Sequence, residues 1–301
     1  MVRRREAGEL GLAVVAVSTS APLIREADAP DLAIAAWRNL LATAALAVVV
    51  AVVVRQRRAA SALERRERRL IALAGLLLGA HFATWIPSVR YTTVASSVAL
   101  VATQPVWSAL WARTRGTAVG RPTWWGIGLA VTGVVLLSGV DLAVDADALL
   151  GDVLALAGGM LAAAYVTVGA AVRRTVPNPV YTLGCYAVAG AATGLLAFGA
   201  GDDLVGYDGR TWALLAAITV GPQLLGHSMF NRVLPAVGPT VVSVAVLLEV
   251  AGASLLAWWW FGEVPPAAAL PAAALLLAGV VMVAADQTGS RASVGIVPLT
   301  D

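Results

Sequence analysis

One carboxylate lies near the middle of a long apolar stretch in the last third of the chain. Glu249 is flanked on both sides by valine and leucine residues, and the charged form of a carboxyl group is costly in such surroundings. The side chain must therefore pair with a cation, face water or hold a proton. One interpretation is structural, with a protonated Glu249 hydrogen-bonded to a neighbouring helix. The other is a group that binds a proton in alternation with a cationic or polar substrate.

An arginine is a second charged residue within an apolar stretch. With a rise of 1.5 Å per residue, Arg38 is expected roughly 9 Å and Glu249 roughly 18 Å below the same surface of a helical bundle. A direct ion pair between them would need the full length of the arginine side chain and a tilted helix. Arg38 either binds a ligand or extends its guanidinium toward the surface of the bundle.

Polar residues recur every four positions in the stretch that precedes Glu249. This polar row consists of Thr219, Gln223, His227 and Asn231. Such residues fall on one side of a helix with a slow drift, and their donors and acceptors are unsatisfied when they face an apolar solvent. The row therefore predicts a helix face that contacts protein or water, with Gln223 and His227 as binding residues. A second row contains Thr93, Ser97, Gln104 and Ser108.

The second row and several aromatic residues complete the candidate binding site. Hydroxyl groups in such a row either line a cavity or hold helices together, and we take Gln104 as a binding residue. His81 and Trp85 are one helical turn apart, and Tyr165 is a further candidate. Trp260 is about three turns from Glu249 on the same helix face.

The elements that position these residues are long apolar segments. Ten of them, each close to the ~20 residues that cross a bilayer as a helix, lie at 9–24, 32–54, 70–86, 92–112, 123–140, 152–172, 179–199, 211–231, 240–261 and 267–285. The composition agrees, since 59% of the residues are hydrophobic and 13% are charged, against about 25% charged in soluble domains. The sequence predicts an all-α integral membrane protein with ten transmembrane helices.

The connections between these segments alternate between arginine-rich and acidic sequences. Most of the 21 basic residues lie on one side, at the N-terminus and around 55–69, 113–121 and 173–174. The acidic side, around 26–31, 141–147 and 202–208, has only Arg25, Arg90 and Arg210. Arginine-rich connections stay in the cytoplasm. We therefore expect a multi-pass cell-membrane protein with both termini, and a disordered tail at 286–301, in the cytoplasm.

The two halves of the chain are weakly similar to each other. Pro30 aligns with Pro179, and Gly133-Val134-Val135 aligns with Gly279-Val280-Val281. Five segments in each half force the second half to enter the membrane from the opposite side. The predicted domains are a first five-helix repeat at 1–142 and a second, inverted five-helix repeat at 149–285.

Several short motifs resemble those of EamA-type permeases of the drug/metabolite transporter superfamily. They are Pro30-Asp31-Leu32 with Trp37-Arg38-Asn39, Gln104-Pro105-Val106, Phe261-Gly262-Glu263 and the Gly279-Val280-Val281 helix. The resemblance implies a transporter whose central pathway is lined by segments one, three, four, six, eight and nine. The chain departs from the family pattern in two places. Arg113-Thr114-Arg115 replaces the usual glutamate after segment four, and Glu249 replaces the usual proline in segment nine.

These observations predict a secondary transporter of small metabolites or drug-like compounds across the inner membrane. We expect export by alternating access, with uptake as the alternative direction. A membrane-embedded enzyme is a different alternative, but His81, His227 and Glu249 do not form a catalytic set. We expect no cofactor, no metal site and no nucleic acid partner. The expected partners are a small-molecule substrate, the lipid bilayer and a coupling proton, and a homodimer is left open.

Overall fold

The structure is a computed structural model that describes residues 4–56, 63–116, 118–145 and 147–294. This part of the chain is helical and contains no strand. Its helices are α1 (Arg4–Ser18), α2 (Ser20–Glu26), α3 (Asp31–Gln56), α4 (Arg65–Tyr91), α5 (Val94–Val101), α6 (Gln104–Thr114), α7 (Arg121–Val144), α8 (Ala148–Val172), α9 (Asn178–Ala200), α10 (Gly209–Ile218), α11 (Ser228–Phe261) and α12 (Ala269–Val294). A π-helical stretch, Thr219–His227, joins α10 to α11 and is called the π segment. Arg57, Arg58 and the end of the predicted tail, 295–301, lie outside the described residues.

Seven stretches of these helices are long and apolar enough to cross a membrane. They are Arg5–Glu26, Asp31–Val48, Arg65–Tyr91, Val94–Thr114, Ala148–Val172, Asn178–Ala200 and Gly209–Val233. Two shorter apolar stretches, Ala245–Phe261 and Ala269–Val283, follow them. In a bilayer every backbone N–H and C=O must be bonded within the protein, and a helix satisfies this requirement. The chain is a multi-pass, all-helical membrane protein, as predicted.

The segment predicted at 92–112 is two helices rather than one. α5 ends at Val101 and α6 begins at Gln104, with Pro105 in the first turn of α6. Proline has no N–H and clashes with the carbonyl group four residues earlier, so it favours a break at this point. The hydroxyl of Thr103 donates to the carbonyl oxygen of Leu100 (2.7 Å) and satisfies an acceptor at the break.

The segment predicted at 211–231 contains a wider helical turn. The π segment includes Pro222, which cannot donate the backbone hydrogen bond of a regular helix, and a π turn is one adjustment to such a loss. The carbonyl oxygen of Gln223 accepts hydrogen bonds from the hydroxyls of Tyr186 (3.3 Å) and Ser228 (3.2 Å). These two bonds satisfy the carbonyl group of Gln223 within the wider turn.

The chain reverses direction within the helical backbone of α11. The sequence predicts a boundary between the eighth and ninth segments, whereas helical backbone runs without a break from Ser228 to Phe261. A Cβ atom added at Gly226 would clash with Val17, and one added at Gly252 would clash with Ser18. A straight helix would hold Gly226 and Gly252 about 39 Å apart. Both can lie against neighbouring residues of α1 only because the chain folds back between them.

A small number of helix contacts form most of the bundle. α4 packs along both α8 and α9, α12 along α7, α3 along α9, and α1 along both α11 and the π segment. Small residues bring the backbones together, since a Cβ atom at Gly133 of α7 would clash with the backbone of Leu276 in α12. In a membrane, close packing of this kind takes over the role that the hydrophobic effect has in water.

The last helix extends further than the sequence indicates. The prediction places the end of the last apolar segment at residue 285, followed by a disordered tail, but α12 continues to Val294. Asp286 is not part of a free tail, because its carboxylate accepts a hydrogen bond from the hydroxyl of Thr123 near the start of α7. The polar residues after 285 mark the end of the apolar surface and not the end of the helix.

Candidate functional site

The helices enclose a central cavity of about 120 Å³. Residues of α4, α5, α6, α8, α9, the π segment and α11 line it. Its polar lining side chains are His81, Gln104, Ser108, Tyr165, Arg173, Tyr181, His227, Asn231 and Glu249. Apolar side chains, among them Leu78, Val98, Val101 and Val166, form much of the remaining wall. A mostly apolar cavity with a few polar groups is typical of sites that bind small molecules.

Most of the predicted binding residues lie together in this cavity. Those that line it are His81, Trp85, Gln104, Tyr165, His227 and Glu249. They come from α4, α6, α8, the π segment and α11, which are distant in sequence. The other three candidates differ: Arg38 and Gln223 lie behind the cavity, and Trp260 lies outside it.

His81 and Trp85 form one wall of the cavity. Their rings are stacked, with centroids 5.9 Å apart and an interplanar angle of 5°. Nδ1 of His81 lies 2.9 Å from the carbonyl oxygen of Gly158, so this nitrogen carries the hydrogen and Nε2 is the acceptor of the neutral ring. A Cβ atom at position 158 would lie 3.1 Å from Cβ of Trp85. Glycine therefore allows α8 to approach α4 closely enough for this contact.

A second group of polar residues lies at the other end of the cavity. Nδ2 of Asn231 donates to the hydroxyl of Tyr165 (3.1 Å), and the ring of Tyr165 stacks on that of Tyr181 with centroids 6.4 Å apart. Arg173 follows the last residue of α8 and donates to the carbonyl oxygen of Val176. It belongs to the arginine-rich connections of the sequence. We call this end of the bundle the arginine-rich end and the opposite one the acidic end.

Glu249 contributes a carboxyl group to the cavity wall. It lies on α11 and is 9% exposed. Among the described residues, no cationic side chain lies within ion-pair distance of it. The direct pair with Arg38 considered from the sequence is therefore not formed in this structure, and the carboxyl group faces a space that a small molecule can occupy.

Arg38 and Gln223 form a buried hydrogen-bond network behind the cavity. Both side chains are fully buried. Nε of Arg38 donates to Oε1 of Gln223 (3.0 Å), and Nε2 of Gln223 donates to Oδ1 of Asn39 (3.0 Å). The guanidinium carbon of Arg38 lies 4.0 Å from the centre of the Phe82 ring. The alternative in which Arg38 extends to the surface of the bundle is wrong, because no part of its side chain reaches that surface.

The predicted polar row does not face the cavity as a unit. His227 and Asn231 line the cavity, whereas Gln223 belongs to the buried network and the hydroxyl of Thr219 donates to the carbonyl oxygen of Leu215 (2.8 Å). The row is therefore divided between the cavity and the buried network behind it.

Trp260 does not reach the cavity. Its side chain is 42% exposed and stacks on Phe261, with ring centroids 5.9 Å apart. The neighbouring Trp258 and Trp259 are also exposed. Tryptophan residues at helix ends are enriched at the membrane–water interface. The expectation that Trp260 binds substrate together with Glu249 does not fit this structure, because the three intervening helical turns keep the two side chains apart.

The acidic end of the bundle is held together by contacts between separate segments. Arg25 of α2 pairs with Glu263, which follows α11, and donates to the carbonyl oxygen of Thr92 (2.9 Å). Glu263 also accepts a hydrogen bond from the backbone N–H of Val94, the first residue of α5 (2.8 Å). We call Arg25, Thr92, Val94 and Glu263 the acidic-end clamp. The clamp joins α2, α5 and the connection between α11 and α12.

Two further ion pairs lie at the same end. Arg90 pairs with Asp31, and Arg210 pairs with Glu26. Each of the three arginines that the sequence places on the acidic side thus has an acidic partner on another helix or connection. Arg210 is 68% exposed, whereas the side chains of Arg25 and Glu263 are 26% and 15% exposed. Because exposed pairs contribute little, we expect the clamp to matter most.

Metal-binding and thiol chemistry have no assembled site in the described ranges. They contain no group of three or more histidine, cysteine, aspartate or glutamate side chains that could hold a metal ion. Cys185 is buried, and its thiol lies 3.7 Å from the carbonyl oxygen of Ile71. The cavity offers hydrogen bonding, charge and apolar surface to a ligand.

Among the residues of the site that were not predicted from the sequence are Arg173, Asn39 and Phe82. Arg173 carries a visible signal, but its charge was fully explained by the arginine-rich connection in which it lies. Asn39 follows Arg38 directly, and two adjacent polar residues in an apolar stretch are a usable signal. Phe82 gives none, because an aromatic side chain in an apolar helix is ordinary.

A solved structure shares this fold. The protein concerned, known from a crystal structure, superposes with a TM-score of 0.64 over 93% of this chain and 97% of its own, at 16% sequence identity. Such a likeness shows the fold alone. No curated protein matches the chain.

The chain matches one family profile twice. The profile of the EamA-like transporter family matches residues 10–139 and, separately, residues 149–285. The two matches cover both halves and leave only the connection between them and the two ends of the chain. This chain therefore belongs to the EamA-like transporter family, within the drug/metabolite transporter superfamily.

Proposed function

We propose that this chain is a secondary transporter that exports small metabolites or drug-like molecules across the cell inner membrane by alternating access. The central cavity carries the proposal. Polar side chains inside a membrane-spanning bundle are costly, and they usually mark the path of a substrate or ion. Family membership supports the transport of small molecules. We propose a proton gradient as the source of energy, with Glu249 as the group that exchanges the proton.

The chemistry of the cavity fits an amphipathic small molecule. Leu78, Val98 and Val166 offer an apolar surface for the body of the substrate. Gln104 and Glu249 offer hydrogen-bonding groups from two different helices. These groups orient the polar part of the substrate. A molecule of this kind is held weakly enough to leave again, as transport requires.

Ten transmembrane helices in two inverted repeats are part of the proposal. In the order of the predicted segments, packed helices join three and six, five and ten, two and seven, and three and seven, and the π segment of segment eight packs on segment one. An exchange of the two halves turns the pair of three and six into that of eight and one, and it returns the pairs of five and ten and of two and seven to themselves. The pair of three and seven becomes that of eight and two, and the π segment does contact α3. A two-fold axis between inverted repeats produces this pattern, and it supports the predicted domains at 1–142 and 149–285.

The position of the cavity suggests the state of the transport cycle. The lining extends to Arg173 at the arginine-rich end. At the other end, the clamp residue Val94 lies one helical turn from the lining residue Val98, so the acidic-end clamp closes the cavity there. We propose that the arginine-rich end and both termini are cytoplasmic, since arginine-rich connections are retained there. The structure then corresponds to a state that takes up its substrate from the cytoplasm.

Transport by the purified protein in liposomes tests this proposal. Radiolabelled cationic, zwitterionic, anionic and neutral metabolites are offered with and without an imposed pH gradient. We expect saturable transport of at least one class, faster with the gradient and absent from protein-free liposomes. Equal fluxes with and without protein for every class would contradict a transport function.

A further inference from the structure

The cavity contains one acidic side chain but lies near two arginine side chains. Glu249 and Arg173 both line the cavity, and the guanidinium of Arg38 lies behind the ring of Phe82. Two cations therefore act on a space that contains one carboxyl group.

No carboxylate lies within ion-pair distance of Arg38 among the described residues. Its side chain is fully buried, and only Nε has a hydrogen-bond partner, the Oε1 atom of Gln223. Both terminal nitrogens, Nη1 and Nη2, are buried without a partner. The contact with the Phe82 ring satisfies the face of the guanidinium but not its N–H groups. A buried cation of this kind is costly unless an anion pairs with it.

The charge of Arg38 reaches the cavity. The ring of Phe82, which covers the guanidinium, packs against the imidazoles of His81 and His227, with centroids 4.8 Å and 6.1 Å away. Both histidines line the cavity, and Arg38 interacts electrostatically with them and with Glu249. The ring of Phe82 and the two imidazoles in front of it therefore separate the unpaired terminal nitrogens from a molecule bound in the cavity.

Arg173, at the arginine-rich end of the cavity, also has a buried N–H group without a hydrogen-bond partner. It lies where the cavity meets the arginine-rich end, and its Nη1 atom donates to the carbonyl oxygen of Val176. Its Nε atom is buried and has no partner. An anion that enters from this end meets one incompletely paired guanidinium at the entrance and a second one further inside.

We propose, on the basis of the proposed transport function, that the substrate of this cavity is a small organic anion with an apolar body. Its anionic group is drawn in by Arg173 and pairs with the terminal nitrogens of Arg38 once Phe82 and the imidazoles in front of it have moved aside, while its body contacts the apolar wall. This assignment replaces the cationic or polar substrate expected from Glu249 alone. Guanidinium groups bind oxyanions well, because two parallel N–H groups match two oxygen atoms.

Binding of four compounds that share a phenylpropyl body tests the proposal. They are 3-phenylpropanoate, phenylalanine, 3-phenylpropylamine and 3-phenylpropan-1-ol, titrated into the purified full-length protein by calorimetry. We expect the carboxylate to bind about tenfold or more tightly than the amine and the alcohol, as one charge-assisted pair implies. Tighter binding of the amine, equal binding of carboxylate and alcohol, or no saturable binding of the carboxylate would overturn the proposal.

Arginine variants locate the anion. Arg38→Met and, independently, Arg173→Met should each weaken binding of the carboxylate about tenfold and leave that of the alcohol unchanged. The second variant keeps the test decisive if the first fails to fold, because Arg173 is only partly buried. Arg113→Met, at an exposed position of α6, is the matched control and should bind as wild type. Unchanged carboxylate binding in the folded variants of Arg38 and Arg173 would reject the assignment.

The two proposals fail separately. Transport of the amine or the alcohol in liposomes, without binding of the carboxylate, would leave the transport function in place and reject the anionic substrate. Carboxylate binding that depends on Arg38, without flux of any compound across the membrane, would support the anion site and reject transport.

Discussion

Replacing Glu249 with glutamine is expected to remove the dependence of transport on a pH gradient and to leave substrate exchange intact. Glutamine keeps the volume and hydrogen bonding of the side chain but cannot gain or lose a proton. One pH unit supplies about 1.4 kcal/mol per coupled proton, which allows up to about tenfold accumulation of substrate. Wild-type protein should reach an accumulation of this order, and Glu249→Gln should only equilibrate the substrate.

The measurement compares accumulation with exchange in the same liposomes. Asp203→Asn is the matched control, because it neutralises an exposed carboxylate at the acidic end and should behave as wild type. Full pH-driven accumulation by Glu249→Gln would reduce Glu249 to a structural hydrogen-bonding residue. Loss of both accumulation and exchange would assign it to substrate binding or folding and not to coupling.

Neutralising Glu263 is expected to open the cavity toward the acidic end. Glu263→Gln removes the ion pair with Arg25 and weakens the acceptor for the N–H of Val94. These contacts stabilise only the closed state, so their loss shifts the equilibrium toward a state that is open at the acidic end. A loss of about 1.4 kcal/mol multiplies the open population about tenfold. The reporter is a cysteine at Val98, in a background with Cys185→Ala, whose reaction with a membrane-impermeant methanethiosulfonate is followed in intact cells.

Two controls define this experiment. Arg210→Gln breaks an ion pair at the same end whose arginine is 68% exposed, and it should change the rate little. A cysteine at Asp203 should react from outside in every background, which tests the proposed orientation. Equal reaction rates at Val98 with and without Glu263→Gln would show that the clamp does not gate the cavity.

The sequence predicts six residues that line the cavity, but not how the polar row is divided between the cavity and the network behind it. Residues such as His81 and Glu249 stand out because polar groups are rare in apolar helices and must find protein or water. The same reasoning placed Gln223 and His227 together, and there it failed in part. Pro222 was visible in the sequence, but the π turn around it and the buried network that takes up Gln223 depend on contacts with distant helices.

The fold also has features that the sequence predicts and features that it does not. Apolar length predicts which stretches are helical, and the structure agrees for seven long apolar stretches and two shorter ones. The break before Gln104 could have been predicted from Pro105. The extension of α12 to Val294 could not, because a polar sequence after an apolar helix does not show where the helix ends. The clamp between Arg25 and Glu263 joins residues that are distant in sequence, and only the folded chain brings them together.

Blockage of the cavity during substrate exchange tests the central claim most directly. Cysteines are introduced separately at His227, which lines the cavity, and at Leu225, which is exposed on the same segment, and exchange in liposomes is measured before and after reaction with a bulky maleimide. We predict that the modified His227→Cys protein loses exchange, that substrate slows its modification, and that Leu225→Cys keeps its flux. Unchanged exchange by fully modified His227→Cys protein would contradict the account, because the substrate would then cross without using this cavity.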